Sequence, residues 1–216
     1  GTYDSTNSVL SRGIHHFWRK KTVRDSGAKL GDSVLDCASG TGDLAIEFKK
    51  TVGDEGRVVG TDFCQEMLDF APAKAQAQDL YIEWEVQDAM NLTYPDDTFD
   101  VASISFGIRN VDTPVEALKS MARVVKPGGR VMILEFGQPT GLMKPLFGFY
   151  SKLVIPTIGG LISGKKDAYE YLNRTSAAFP CGDDFTKMML DTDLFSDVSF
   201  DSLSGGVAYL YTGVVK

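Results

Sequence analysis

Histidine, cysteine and tryptophan are scarce in this chain: of 216 residues, two are histidine, three cysteine and two tryptophan. The cysteines (Cys37, Cys64 and Cys181) show no paired spacing and leave one over. That argues against a disulfide framework or a zinc site and fits a reducing compartment. No cluster of metal-ligating residue types is visible either, so a metal-free site is expected. Basic residues are outnumbered 22 to 29, giving a net charge of -7. Nucleic-acid binders carry a basic face, so no nucleic-acid partner is expected. Uninterrupted apolar runs are missing too. The most apolar region, Leu142 to Ile162, is broken by Lys144, Pro145, Gly148, Lys152, Pro156, Gly159 and Gly160, whereas a membrane span needs ~20 largely apolar residues. There is no signal-peptide pattern, internal repeat or low-complexity stretch. The start at Gly1, without Met, leaves room for an upstream segment.

What is present is ordinary globular composition, 43% hydrophobic and 24% charged, enough for one sizeable core in a single domain over 1–216. Strand-like and helix-like stretches alternate from residue 33. Ser33 to Cys37, Arg57 to Asp62, Phe99 to Ser105 and Arg130 to Phe136 read as strands. Ile82, Trp84 and Val86 alternate with acidic and polar residues, as in a strand near a sheet edge. Helices are expected over Asp43 to Thr51, Gln65 to Gln78 and Pro114 to Val125, the last stopped by Lys126-Pro127-Gly128-Gly129. Val198 to Leu203 and Val207 to Val215, joined by Ser204-Gly205-Gly206, read as a hairpin. The expected fold is α/β: a doubly wound, mostly parallel seven-stranded sheet with a C-terminal antiparallel hairpin, Rossmann-like in class. Around the core at 33–136 stand an N-terminal helical cap (1–32), an insertion over the ligand-binding end (137–185), and a C-terminal helix and hairpin (186–216).

Open parallel sheets bind ligands beyond the carboxyl ends of their strands. The first such end is Asp36-Cys37-Ala38-Ser39-Gly40-Thr41-Gly42-Asp43, whose glycines let a backbone approach a ligand. Asp62, about twenty residues on, can accept ribose hydroxyls or cap the following helix. Asp88-Ala89 follow the third strand, where a carboxylate can receive an adenine amino group, and Ser105 closes the fourth. A dinucleotide site wants G-x-G-x-x-G and a phosphate at the helix start. Here the helix starts with Asp43, which repels phosphate and suits the ammonium and sulfonium of S-adenosyl-L-methionine. The candidate cofactor set is Gly40, Thr41, Gly42, Asp62, Phe63, Asp88, Ala89 and Ser105.

At these residues the sequence resembles the ubiquinone/menaquinone biosynthesis C-methyltransferases over nearly its whole length. The resemblance rests on Tyr3-Asp4 with Asn7, Gly13-Ile14-His15 and Trp18, and on the loop from Val34 to Leu44. It rests most on Ile104-Ser105-Phe106-Gly107-Ile108-Arg109-Asn110-Val111, Leu134-Glu135-Phe136, Tyr169 with Tyr171-Leu172, and Ser204 to Val207. It departs at Pro180-Cys181-Gly182. The resemblance implies cofactor contacts at Thr41, Asp62, Asp88-Ala89 and Ser105. It also implies a substrate, the reduced ring of a prenylated benzoquinone or naphthoquinone precursor. The same fold and cofactor would also serve a methyltransferase for another small molecule, or a non-catalytic subunit of a quinone-synthesis complex.

A ring carbon becomes nucleophilic when a ring hydroxyl ionises, so the site needs a base or a cation facing the phenolate. Arg109 and Asn110, just beyond strand four, are the candidate catalytic pair, Arg109 for the oxyanion and Asn110 for ring orientation. A plain ion pair with a surface acid is the alternative for Arg109. His15, Tyr169 and Tyr171 are the candidate substrate contacts, with His15 as second choice of base; Tyr3 is a further residue that could close the site. Leu142 to Ile162 has two readings: a lid helix on the core or at a homodimer interface, or an apolar entrance for an isoprenoid tail in peripheral contact with a membrane. The expected location is cytoplasmic, at the inner face of a membrane, on the matrix side of the mitochondrion in a eukaryote.

Overall fold

The computed structural model describes residues 14–138, 175 and 179–216. Its first helix, α1 (Ile14–Ser26), leads into β1 (Ser33–Cys37), α2 (Asp43–Val52) and β2 (Arg57–Asp62). Two short helices follow, α3 (Gln65–Leu68) and α4 (Ala71–Gln76), then β3 (Glu83–Val86) and β4 (Phe99–Ser105). After a 3-10 turn at Ile108–Asn110 come α5 (Pro114–Val124) and β5 (Val125–Phe136). The described chain closes with α6 (Asp183–Leu190), β6 (Phe195–Leu203) and β7 (Ala208–Val215).

The strands form one seven-stranded sheet in the order β3-β2-β1-β4-β5-β7-β6. β1 to β5 pair in parallel, and β7 runs antiparallel to both β5 and β6. The expected doubly wound, mostly parallel sheet with a terminal hairpin is therefore what forms. Val34, Leu35, Val101, Ala102, Ile133 and Leu134 are buried because helices cover both faces of the central strands. Leu118 and Met121 of α5, with Phe185 and Met189 of α6, pack in one core cluster. Trp18 and Val23 of α1, with Leu44 and Phe48 of α2, pack in the other. Burying each such side chain contributes on the order of 1.5–3 kcal/mol.

Three boundaries differ from expectation. The single helix over 65–78 is two helices, because Pro72 has no N–H to continue the ladder. The Lys126–Gly129 stretch does not end a helix ahead of a strand. Val125 is already extended and pairs with Phe99, so β5 begins before the glycines, and the register shifts between Phe99 and Val101. α6 begins at Asp183, earlier than the C-terminal segment drawn at 186. β3 is the expected edge strand, with Val86 half exposed.

Trp84 on β3 reaches back under the β1–α2 turn. A Cβ on Gly42 would lie 2.6 Å from its ring, and one on Gly60 would overlap it more closely. Gly42 also has φ +83, so it is glycine twice over. The edge strand thereby fixes the shape of the loop that faces the ligand end of the sheet.

Candidate active site at the carboxyl ends of β1, β2, β4 and β5

The sheet reverses strand order between β1 and β4, and the register Cys37↔Ile104 sets Ala38 and Ser105 side by side beyond the last pair. Both chains leave the sheet in unusual conformations. Ala38 (φ 49) and Phe106 (φ 55) are left-handed without being glycine, a strain of about 1–3 kcal/mol each that clusters at functional crevices. The two turns touch: a Cβ on Gly107 would meet Ala38 Cβ at 2.5 Å.

Beneath this crevice lies Asp36, fully buried. Its Oδ1 accepts from Ser103 Oγ at 2.7 Å and its Oδ2 from Ser39 Oγ at 2.8 Å. Burial raises its pKa to about 6, and the two hydroxyls limit the rise by bonding the charged form. Asp36 is thus the foundation of the glycine loop. It was not among the residues singled out from the sequence.

Asp62, at the end of β2, ties that loop to the next. Its Oδ2 accepts from the Gly40 N–H at 2.8 Å and its Oδ1 from the Cys64 N–H at 2.9 Å. Each oxygen keeps a further lone pair, so holding the loop and accepting ribose hydroxyls are compatible. The next side chain, Phe63, is 79% exposed. Asp88 lies two residues past Val86, which is in register with Asp62. Its Oδ1 accepts from the Met90 N–H at 2.9 Å, and Ala89 packs against the core. Asp62, Asp88 and Ser105 thus line consecutive strand ends, as read from the sequence.

Asp43 is placed otherwise than expected. Its carboxylate does not stand open to a ligand ammonium or sulfonium. Oδ2 lies 2.9 Å from Arg19 Nη1, and Oδ1 bonds Lys74 Nζ, which also donates to Thr41 Oγ1 at 3.3 Å.

Arg109 is held by an acid. Its Nη1 donates to Glu135 Oε1 and to the Phe106 carbonyl, both at 2.6 Å, and its N–H donates to Glu135 Oε2 at 3.3 Å. The guanidinium also lies over the Phe136 ring, 5.4 Å from its centroid. The partner is neither exposed nor at the surface, as the plain ion-pair alternative supposed: Glu135 is 1% exposed. Among the described residues Arg109 Nε is buried with no hydrogen-bond partner. Burial drives the Glu135 pKa up, and Arg109 opposes the rise. Asn110 follows in the same turn and is exposed.

His15 belongs to an aromatic wall. Its ring lies 5.1 Å from Trp18, 5.4 Å from Phe106 and 6.0 Å from Phe136, all edge to face, and Phe106 and Phe136 are 4.3 Å apart. Burial lowers its pKa to about 4, helped by Arg19 and His16 and opposed by Asp43. It is therefore neutral at neutral pH and too weak a base for a phenol of pKa about 10. Tyr3, Tyr169, Tyr171 and the segment Leu142 to Ile162 lie outside the described residues. Among the described residues no three His, Cys, Asp or Glu side chains form a metal-binding group, and no helix is long and apolar enough to cross a membrane.

Asp36 and Glu135 escaped the sequence reading, yet a signal was there. Each is a lone acid in an otherwise apolar buried strand, Val34-Leu35-Asp36-Cys37 and Ile133-Leu134-Glu135-Phe136, where a carboxylate survives only with partners. Arg19 and Lys74 carried no such signal.

Comparison with known proteins extends these observations. The model of the ubiE/COQ5 methyltransferase family matches residues 1–215. A ubiquinone/menaquinone biosynthesis C-methyltransferase, UbiE, of Bdellovibrio bacteriovorus is 58% identical over 99% of this chain and 91% of its own length. The protein of the same name from Shewanella oneidensis is 39% identical over 98% of this chain and 85% of its own. Among solved structures, a putative S-adenosyl-L-methionine-dependent methyltransferase of Methanococcus maripaludis has a TM-score of 0.68 at 17% identity, over 100% of this chain and 92% of that one. A methyltransferase of Aquifex aeolicus dependent on the same donor has a TM-score of 0.60 at 20% identity, over 92% and 89%. At such identities the likeness is one of fold.

Proposed function

The chain belongs to the ubiE/COQ5 methyltransferase family, and from that premise we propose that it methylates a ring carbon of a reduced, prenylated quinone precursor. S-adenosylmethionine, when bound, supplies an electrophilic methyl group on sulfur. The residues at the strand ends fit its adenosine half: Asp62 accepts the ribose hydroxyls, Phe63 offers an exposed ring to the base, and Asp88 receives the adenine amino group. Thr41 and the glycines beside it let the backbone close on the ligand, and Ser105 borders the same crevice.

The observation that carries the substrate reading is Arg109 Nε, a buried donor without an acceptor among the described residues, beside the wall of Phe106, Phe136 and His15. An aromatic acceptor ring suits such a wall. A phenolate oxygen, or a water that takes the hydroxyl proton, completes the Nε and is stabilised as charge develops. Methylation of the ring carbon would release the donor's sulfide and one ring proton, the latter passing to water as the ring regains aromaticity. In this reading Asn110 orients the ring, with Tyr169 and Tyr171 as further contacts. His15, neutral, serves as wall rather than base. The apolar stretch Leu142 to Ile162 is assigned to the prenyl tail, at the inner surface of a membrane.

Incubation of the protein with labelled methyl donor and two reduced acceptors, a demethylmenaquinol and a methoxy-benzoquinol, tests the reading. Label should enter the ring carbon of at least one acceptor and of neither oxidised form. Transfer to an oxygen, or to neither quinol, overturns it.

A further inference from the structure

Glu135 stands one residue from the end of β5, between β4 and β7 in the sheet, and is 1% exposed. Its Oε1 accepts from Arg109 Nη1 at 2.6 Å and from the Phe136 N–H at 2.7 Å. Oε2 accepts from the Arg109 N–H at 3.3 Å. All three partners are donors, so the carboxylate is held in its ionised form. The turn that carries Arg109 is tied to the same strand, because the Phe106 N–H donates to the Leu134 carbonyl at 2.7 Å. The Phe106 carbonyl then accepts from Arg109 Nη1.

A free arginine side chain samples many rotamers, and ordering it opposes any contact it makes. Here Nη1 lies between two fixed acceptors, and the guanidinium lies over the Phe136 ring. Two acceptors and one aromatic face fix the planar fork and with it the direction of the Nε–H. That N–H is the donor left without an acceptor among the described residues. A buried ion pair is a poor way to stabilise a fold, since apolar residues of similar volume often do as well or better. It is an effective way to aim a donor before the charge that it meets has developed.

We propose that Glu135 is a positioning residue for the methyl transfer: it aims the Arg109 Nε–H at the acceptor's oxygen and balances the guanidinium charge without touching the acceptor. The proposal rests on the reading that Arg109 faces a ring hydroxyl, and it assigns the residue that makes that contact productive. The charge has its own consequence. Without Glu135 the guanidinium is unbalanced and favours the phenolate more, so the hydroxyl ionises at lower pH. Among the described residues, the other titratable groups about the pair and its crevice are His15 of α1, Asp36 of β1, and Tyr209 and Tyr211 of β7 with Cys181 beyond them. These are common to the proteins compared, so a difference between their pH profiles reports Glu135.

Turnover of the full chain on demethylmenaquinol and on the methoxy-benzoquinol, measured against pH and per molecule that binds S-adenosylhomocysteine, tests this. Glu135→Asp keeps the charge on a shorter arm: kcat should fall roughly tenfold, with the acid limb of the profile in place. Glu135→Gln keeps one acceptor oxygen and loses the charge: kcat should fall at least as far, with the acid limb about one pH unit lower. In both, KM for the quinol and affinity for S-adenosylhomocysteine should stay within about threefold. Undiminished turnover in Glu135→Asp, or an unmoved limb in Glu135→Gln, overturns the proposal, as does loss of S-adenosylhomocysteine affinity in step with turnover. If Glu135→Gln does not fold, Glu135→Asp decides alone. An unmodified chain that methylates neither quinol overturns the reading of the reaction, and the proposal with it.

Discussion

Glu135 and Arg109, 26 residues apart in the chain, meet at 2.6 Å with side chains only 1% and 8% exposed. A pair so withdrawn from water is expensive to break from one side, because the remaining charge has nowhere to go. Arg109→Ala should therefore destabilise the fold by about 3–5 kcal/mol in urea, besides lowering turnover on the quinol roughly 100-fold, the scale of one lost oxyanion partner. Combining Arg109→Met with Glu135→Leu should restore most of the stability and none of the turnover. Recovery of activity in the double variant would assign Arg109 a purely architectural role.

Asp62 binds two backbone N–H groups of neighbouring turns, so its removal strikes the loop and the ligand together. Asp62→Ala should weaken S-adenosylhomocysteine by about 1–3 kcal/mol in calorimetry. Asp62→Asn, which keeps one acceptor oxygen, should lose less. Nicotinamide dinucleotides should fail to compete in the unmodified protein.

The Trp84 ring occupies the space a Cβ would need at Gly60. Gly60→Ala should cost about 1–3 kcal/mol by overpacking, read as a lower urea midpoint. Adding Trp84→Leu should return part of that loss. Additive losses in the double variant would show that the two positions do not compete for the same space.

His15 gives the pH dependence a definite sign. Its pKa is about 4 in the fold against 6.5 when exposed, so between those values the unfolded chain holds a proton that the folded chain lacks. Stability from this residue is thus lost as pH falls from 6.5 toward 4, by up to about 1.4 kcal/mol per pH unit. Asp36, raised to about 6, contributes with the opposite sign over much of the same range. The difference between the unmodified chain and His15→Phe isolates the histidine: the variant's melting temperature should fall less between pH 7 and pH 5. Parallel curves would place His15 in water.

Most of this architecture is legible from residue pattern because β1, β2 and β4 are short apolar runs ending in glycine, acid or serine, and local composition alone decides them. The strand-end positions of Asp62, Asp88 and Ser105 follow from the same alternation. What escaped depends on distant partners. Asp36 is explained by Ser103, 67 residues away, and Glu135 by Arg109; neither partner is visible from the strand that carries the acid. The cations on Asp43 escaped for the same reason, since they arrive from α1 and α4. The start of β5 was placed late because Gly128 and Gly129 read as a stop, whereas pairing of Val125 with Phe99 outweighs them.

The position of β7 governs the order in which the protein can assemble. β7 follows β6 in the chain but lies between β6 and β5 in the sheet, pairing Phe136 with Ala208 and Leu203 with Ala208 at one end. During synthesis, strands β1 to β5 can pair as they emerge, each beside a neighbour already made. β6 cannot, because nothing it pairs with exists until the next segment arrives. The hairpin must enter as a unit against an open edge of β5, so the sheet is completed by a single late docking step that no earlier length of nascent chain can perform.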